Sequence, residues 1–140
     1  MFKRNILREG GMVREAHAGD ALSANLVPTN FNAEADATLT VAQIAGGKIC
    51  QGLTLTSDVV YTLPTAILLA AALEGMNTGD AFSFIVNNSQ AAAFDVVIAV
   101  GVGITAIGTN NSLSVAPQSS RIFTVIMTDD TDGAETFDLY

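Results

Sequence analysis

The sequence predicts an all-β fold, an antiparallel β-sandwich or jelly-roll-like barrel of about eight short strands with one inserted short helix. Three observations carry this prediction. Apolar residues alternate over short stretches, and turn residues recur about every ten positions. The chain is also 49% hydrophobic and only 14% charged, whereas charged residues make up about a quarter of a typical soluble domain. We therefore expect a large buried fraction, part of it in an oligomer.

The first 35 residues show no regular period and predict an extended N-terminal arm. Gly10, Gly11 and Pro28 interrupt this stretch. Its apolar residues favour an arm that orders against a partner over a solvated tail. The candidate partner-binding residues of the arm are Lys3, Arg4, Arg8, Arg14, Leu22, Leu26 and Phe31. The predicted organisation is thus an arm over residues 1–35 and a β-domain over residues 36–140.

The β pattern begins near residue 38 and one helix interrupts it. The strands predicted before the helix cover residues 38–41, 48–51, 53–56 and 59–63. The helix is predicted over residues 65–74, because this stretch follows Pro64, is rich in Ala and Leu, and precedes Gly75, a natural C-cap. The later strands are predicted over residues 81–86, 94–100, 104–107, 113–115, 121–127 and 135–140.

The strongest predicted strand is apolar on both faces. Ile122 and Ile126 lie on one face. Phe123, Val125 and Met127 lie on the other. An antiparallel strand with one solvated face would alternate between apolar and polar residues. We therefore expect the helix or another subunit to cover the second face.

Charge is distributed unevenly along the chain, whose net charge is −8. Residues 1–14 contain four basic residues and one acidic residue, whereas the rest contains two basic and 13 acidic residues. An acidic body argues against nucleic acid as a ligand, because phosphates repel it. The basic arm could instead contact an acidic surface elsewhere.

Neither a membrane span nor a secretory signal is expected. The longest apolar run, residues 66–73, has eight residues, far fewer than the roughly 20 that a membrane span needs. No apolar run follows the basic start. We expect the protein to be made and assembled in a cytoplasm.

Residue types needed for common catalytic and metal sites are scarce. Cys50 and His17 are each the only residue of their type, which excludes an intramolecular disulfide and a Cys/His zinc site. His17 lies in the arm, so the domain cannot contain a histidine-based triad. Paired carboxylates of the glycosidase kind remain open, although most acidic residues fall in predicted turns. We expect no enzyme activity, no cofactor and no small-molecule substrate.

Two short motifs resemble ligand sites only in part. The acidic residues 129–135 do not have the spacing of an EF-hand. They favour a solvated hairpin, and a calcium site of another kind is the alternative. The glycines at 101, 103 and 108 fit neither phosphate-binding pattern and indicate a turn.

Five stretches of the domain carry a resemblance to a known group. They are TLTVAQIAGG at 38–47, VYTLPT at 60–65, GDAFSFIVNN at 79–88, GVGIT at 101–105 and SSRIFTV at 119–125. Together they resemble the small trimeric β-domains of capsid decoration (cement) and head-fibre proteins of tailed bacteriophages and large DNA viruses. The resemblance covers about residues 37–140, and its motifs are structural.

The resemblance implies a homotrimeric structural protein of the virion. Such a protein would bind the major capsid protein on the outer capsid surface and stabilise the shell, with the basic arm contacting capsid subunits. The candidate trimer-interface residues are Phe82, Phe84, Ile122, Phe123 and Val125. The alternative is a virion fibre or receptor-recognition domain that binds a host surface ligand. The lack of shaft repeats favours decoration.

Overall fold

Twelve strands and two short helices form the regular structure of the described residues. The structure is a computed structural model, and it describes residues 5–9, 12–16, 29–30, 35–45, 48–51, 55–91, 93–108 and 113–140. The strands form two larger sheets and one separate two-stranded sheet. The prediction of an all-β fold is confirmed.

The larger sheet has six strands. In spatial order they are β3 (Thr29–Asn30), β5 (Lys48–Gln51), β7 (Ala81–Asn88), β11 (Ser119–Asp129), β12 (Thr136–Leu139) and β9 (Ile104–Ala106). The long strands β7 and β11 form its antiparallel centre, in register from Ala81 opposite Ile126 to Asn88 opposite Ser119. This pair is the framework on which the outer strands are placed.

The second sheet has four strands. In spatial order they are β10 (Ser114–Val115), β8 (Val96–Ala99), β6 (Val59–Thr62) and β4 (Ala37–Thr38). Strands β8, β6 and β4 run parallel to one another, and β10 is antiparallel to β8. Neither larger sheet closes on itself.

The sheets are mixed, so the prediction of an antiparallel fold is wrong. Of the nine strand pairings among the described residues, five are parallel. From β3 to β10, successive strands fall alternately in the six-stranded and the four-stranded sheet. Strands β4 to β7 therefore each connect two parallel neighbours of the other sheet. Strands spaced by about ten residues fit this winding as well as they fit a series of hairpins.

One core joins the two sheets. Inward side chains from both sheets and from the second helix belong to the same buried cluster. On β7, burial alternates, and Phe82, Phe84 and Val86 share the inner face. The rings of Phe84 and Phe123 stack with their centroids 5.5 Å apart. The central strands therefore contribute their aromatic residues to the interior of a single chain.

The first helix, α1 (Val41–Ala45), lies where the sequence predicts part of a strand. Its start is a capping box: the backbone N–H of Thr40 donates to Gln43 Oε1 at 2.7 Å, and the N–H of Gln43 donates to Thr40 Oγ1 at 3.3 Å. The side chain of Ile44 is buried in the core. The predicted strand over residues 53–56 is also not observed: 53 and 54 lie outside the described residues, and Leu55 and Thr56 are irregular.

The second helix, α2 (Ala66–Ala72), confirms the predicted one, with a shorter extent. Thr65 is its N-cap, with Oγ1 accepting from the N–H of Leu68 at 3.4 Å. The loop between β8 and β9 packs on this helix start, since the N–H of Ala66 donates to the carbonyl of Val102 at 2.9 Å. A Cβ at Gly101 would lie 2.3 Å from the Pro64 carbonyl oxygen. Close packing therefore explains this glycine.

The predicted arm contains regular structure. Strands β1 (Asn5–Glu9) and β2 (Met12–Ala16) pair as an antiparallel hairpin. Strand β3 pairs with β5 and so belongs to the six-stranded sheet. The sheet thus begins at Thr29, before the predicted domain boundary at residue 36.

Candidate interaction surfaces

Four of the five candidate trimer-interface residues are buried inside the chain itself. Phe84 and Phe123 are 0% exposed, Val125 is 1% exposed, and Phe82 is 8% exposed. A side chain that is already enclosed offers no surface to another subunit. The prediction that these four residues form a trimer interface is therefore wrong. Only Ile122 faces outward, and it is 64% exposed.

Ile122 belongs to a surface that we call the sheet face, the outward side of β7, β11 and β12. Ile122 lies opposite Ile85 on β7, and Ile126 follows four residues later on the same side, beyond Thr124. Ile85 and Ile126 are half-buried. Neither α1 nor α2 has removed Ile122 from solvent. The sequence-based prediction of a two-faced strand is confirmed, and its outer face is the uncovered one.

The polar groups of the sheet face are mostly uncharged. Ser83 Oγ and Thr124 Oγ1 are 2.9 Å apart across β7 and β11. Asn87 Nδ2 donates to Ser120 Oγ at 2.6 Å. These bonds satisfy the polar side chains within the chain, which lowers the cost of removing water from them. The sheet face therefore combines apolar side chains with polar groups that already have partners.

A second surface lies between α2 and the turn that joins β11 to β12. It is a groove of about 410 Å³, which we call the acidic groove. Its lining residues are Ile67, Ala70, Ala71, Glu74, Gly75, Asp132, Gly133 and Glu135. Ile67 is 51% exposed. The Glu135 Oε2 atom is buried and has no hydrogen-bond partner among the described residues.

The turn beside the acidic groove has a defined local structure. Asp129 Oδ1 accepts from the N–H of Thr131 at 2.8 Å, and Gly133 has a φ of +79°, which favours glycine. Hydrogen bonds from the Thr131 side chain first, and from its backbone second, lower the pKa of Asp129 below its ordinary value of 3.8. The carboxylate of Asp129 is thus occupied in shaping the turn.

The remaining site predictions have different outcomes. Arg8 lies in β1 and Arg14 in β2. The other arm candidates lie outside the described residues: Lys3, Arg4, Leu22, Leu26 and Phe31. Among the described residues, no three His, Cys, Asp or Glu side chains gather into a group that could hold a metal ion. No helix in the described part of the chain is long and apolar enough to cross a membrane.

Sequence reasoning did not find the acidic groove. The carboxylates that line it come from two stretches about 60 residues apart, at 74 and at 132–135. The only signal available was the acidic composition of residues 129–135, which the sequence interpretation assigned to a solvated hairpin. The apolar floor from α2 could not be assigned to the same place without the tertiary structure.

Comparison with known proteins gave no match. No protein-family model matches the chain, and no curated protein and no solved structure matches it.

Proposed function

We propose that this chain is a structural protein of a virion, a homotrimeric decoration (cement) protein that binds the outer capsid surface and stabilises the shell. The observation that carries the proposal is the sheet face. Ile122, the fourth of the eleven residues of β11, is 64% exposed and lies directly opposite Ile85 on β7. The two side chains make the apolar surface continuous across neighbouring strands, and continuous exposed apolar surface marks interaction sites.

Contact between copies would cover this face. The centres of protein interfaces are depleted in charged residues, and Ser83, Thr124, Asn87 and Ser120 present polar groups that are already bonded. Closed symmetry is the usual outcome of self-association. In a trimer, the sheet faces of three copies meet near the symmetry axis. The two-sheet, sandwich-like bodies form most of the mass of the trimer on the capsid surface.

The basic arm supplies attachment in this proposal. The positive charges of Lys3, Arg4, Arg8 and Arg14 contrast with the acidic remainder of the chain, and they suit an acidic patch on the major capsid protein. Three arms on one trimer engage the shell together, and linked binding events raise the overall affinity well beyond that of one arm. The protein would be assembled in the host cytoplasm and located on the virion surface. Its partners are protein chains, without nucleic acid, membrane or small-molecule substrate.

The self-association half of the proposal is tested by Ile122→Lys. Burying an unpaired ammonium group in an interface costs several kcal/mol, so the variant is expected to be monomeric where the wild-type chain is trimeric. The measurement is the mass in solution by light scattering after gel filtration. The matched control is Leu68→Lys, because Leu68 is exposed to a similar degree, 57%, but lies on α2. A wild-type monomer, or an Ile122→Lys trimer, contradicts the proposal.

The attachment half is tested by charge reversal in the arm. Replacing Lys3, Arg4, Arg8 and Arg14 with Glu in the full chain is expected to abolish sedimentation with shells of the parent particle while leaving the trimer mass unchanged. Full binding by this variant contradicts the attachment role. Charge reversal is preferable to removal of residues 1–30, because β3 begins at Thr29.

The alternative function is a fibre or receptor-recognition domain on the virion. The acidic groove favours it, because an exposed groove with an apolar floor suits a ligand. Copy number and position distinguish the two functions. A cryo-EM map with many copies spread over the head supports decoration, and a few copies at the tail support recognition.

A further inference from the structure

The acidic groove is complementary in chemistry to one segment of this same chain. Its floor is formed by Ile67, Ala70 and Ala71 of α2. Its carboxylates are Glu74 at the C-terminal side of that helix and Asp132 and Glu135 in and after the turn. An apolar floor with a carboxylate rim fits a peptide that carries both apolar and cationic side chains.

The surroundings of the groove reinforce its negative potential. Asp80 and Asp130 lie at the same end of the molecule, where Asp80 Oδ2 accepts from the N–H of Asn77 at 2.8 Å and Asp130 Oδ2 accepts from the N–H of Thr78 at 3.4 Å. After residue 14 the chain has only two basic residues, Lys48 and Arg121. Arg121 lies opposite Val86, about 17 Å along β7 from Ala81 at the acidic end.

The Glu135 carboxylate borders the groove on a residue that is only partly buried. Its Oε2 atom is buried without a hydrogen bond among the described residues, which is unfavourable for a charged acceptor. A guanidinium or ammonium group in the groove compensates the negative charge of this carboxylate.

The basic segment, residues 1–14, has the complementary chemistry. It contains Lys3, Arg4, Arg8 and Arg14 against the single acidic residue Glu9. It also contains five large apolar residues besides the first methionine: Phe2, Ile6, Leu7, Met12 and Val13. No other stretch of this chain combines apolar residues with more than one basic residue.

The basic segment is also within reach of the groove of its own chain. Strands β3, β5 and β7 are parallel, and Thr29 is in register with Ile49, which is in register with Val86. The start of β3 is therefore about 17 Å along the strands from Ala81 at the acidic end. It is also four strand positions, about 19 Å, across the sheet from β12, so the two offsets together amount to about 25 Å. Residues 17–28 connect β2 to β3 and can span up to about 40 Å. A tether of this length gives a local concentration in the millimolar range.

We propose that the basic segment docks in the acidic groove of its own chain. Apolar side chains of the segment cover Ile67, and its cationic groups pair with Glu74, Asp132 and Glu135. The consequence for attachment rests on the proposed function: the segment must leave the groove before it can contact the capsid. The groove therefore competes with the shell for the same residues.

The test places a nitroxide spin label at position 5 of the full chain, as Asn5→Cys in a Cys50→Ala background, which keeps all four cationic residues of the basic segment. We expect the label to broaden the backbone amide NMR signals of Ala71 and Gly133 strongly, and those of Asn87 and Ser120 at the opposite end little. The matched control carries Glu74→Gln, Asp132→Asn and Glu135→Gln, which remove the negative charge with little change in shape. Broadening is expected to disappear in this control, and also at 1 M salt, where charges are screened within about 3 Å.

Mixing identifies the source of the segment. Spin-labelled protein without ¹⁵N is combined with ¹⁵N-labelled protein without the spin label. If Ala71 and Gly133 broaden as strongly in the mixture as in the doubly labelled chain, the segment in the groove comes from a second copy. That result overturns docking within one chain. Equal broadening in the wild-type chain and the neutralised control overturns the proposal altogether. The spectrum of the control, outside the groove, shows that it remains folded.

A binding measurement separates this inference from the proposed function. The neutralised groove is expected to raise the affinity for shells by about 5-fold or more, the range of an ordinary coupling between sites. If the spin-labelled chain binds shells but shows no broadening at Ala71 and Gly133, the docking is contradicted and the decoration function is not. The expected broadening in a chain that does not bind shells contradicts the decoration function alone.

Discussion

Both faces of β11 carry large apolar side chains, but in opposite environments. On the inner face, Phe123, Val125 and Met127 are at most 2% exposed. On the outer face, Ile122 is 64% exposed. Side chains from the four-stranded sheet and α2 complete the core on one side, and neither helix takes Ile122 out of solvent. The comparison shows that an apolar strand face indicates a need for cover, while the source of the cover is decided by the rest of the fold.

The largest effect expected from this comparison follows Phe123→Ala against Ile122→Ala. Truncating a fully buried Phe that stacks on Phe84 is expected to lower the free energy of unfolding by about 3–5 kcal/mol. This loss should be the same at every protein concentration, because the contact is internal. The loss from Ile122→Ala should grow with concentration, because it depends on association. Denaturant unfolding at two concentrations measures both, and a concentration-independent Ile122 effect as large as that of Phe123 would remove the distinction between the faces.

The next effect compares Asn88 with Asn87, neighbours on β7 with opposite orientations. Asn88 is fully buried, and its Nδ2 donates to the carbonyls of Val115 at 2.9 Å and Phe94 at 3.1 Å. Asn88→Ala is expected to cost about 1–3 kcal/mol, because the Val115 carbonyl loses its side-chain donor in a buried place. Asn87→Ala removes only the bond to Ser120 and should cost less than about 1 kcal/mol. Thermal unfolding measures the loss of stability in each variant. Equal losses would show that the burial of Asn88 does not make its hydrogen bonds more stabilising than that of Asn87.

A smaller effect concerns the hydroxyl pair on the sheet face. The Ser83 and Thr124 oxygens are 2.9 Å apart, and an exposed cross-strand pair of this kind contributes about 0.2–1 kcal/mol. A double-mutant cycle with Ser83→Ala and Thr124→Val isolates that coupling. A coupling near zero would mean that solvent replaces the bond at no cost, and the sheet face would then be less prepared for a dry contact.

The smallest effect is at Asp129, at the exposed end of β11. Its pKa is lowered in the folded chain, so its stabilising effect is present above the unfolded value of 3.8 and is lost as the pH falls through the lower folded value. Thr131→Ala removes the side-chain hydrogen bond, which is the largest cause of the shift, and is expected to raise the pKa of Asp129 toward 3.8. NMR titration of the carboxyl group in both proteins measures this directly. An unchanged pKa in the variant would assign the shift to the backbone bond alone.

Several elements were predictable because their signals are local. The alternation of Phe82, Phe84 and Val86 placed these residues on one face of β7, and Pro64, Thr65 and the Ala-rich run placed α2. The start of α1 was also readable, because Thr40 and Gln43 have the spacing of a capping box. The β-like alternation of residues 38–41 concealed it.

The assignment of interface residues could not be made from alternation alone. Phe123 and Ile122 are adjacent, and nothing local states which face meets the chain's own core. Likewise, Glu74 and Glu135 line the same groove only because α2 lies beside the start of β12. Contacts of this kind depend on distant parts of the chain, which periodicity does not report.

The sequence by itself determined that this chain is all-β, that β11 is apolar on both faces, and that its cationic residues are concentrated near residue 1. These properties follow from side-chain alternation and from composition, which local physics converts directly into strands, turns and charge. The tertiary structure alone decided that the sheets are mixed, that Ile122 faces solvent while Phe123 does not, and that carboxylates gather beside α2. The physical reason is that β3 to β10 alternate between two sheets and that β7 pairs with the distant strand β11, and these long-range pairings fix which faces meet.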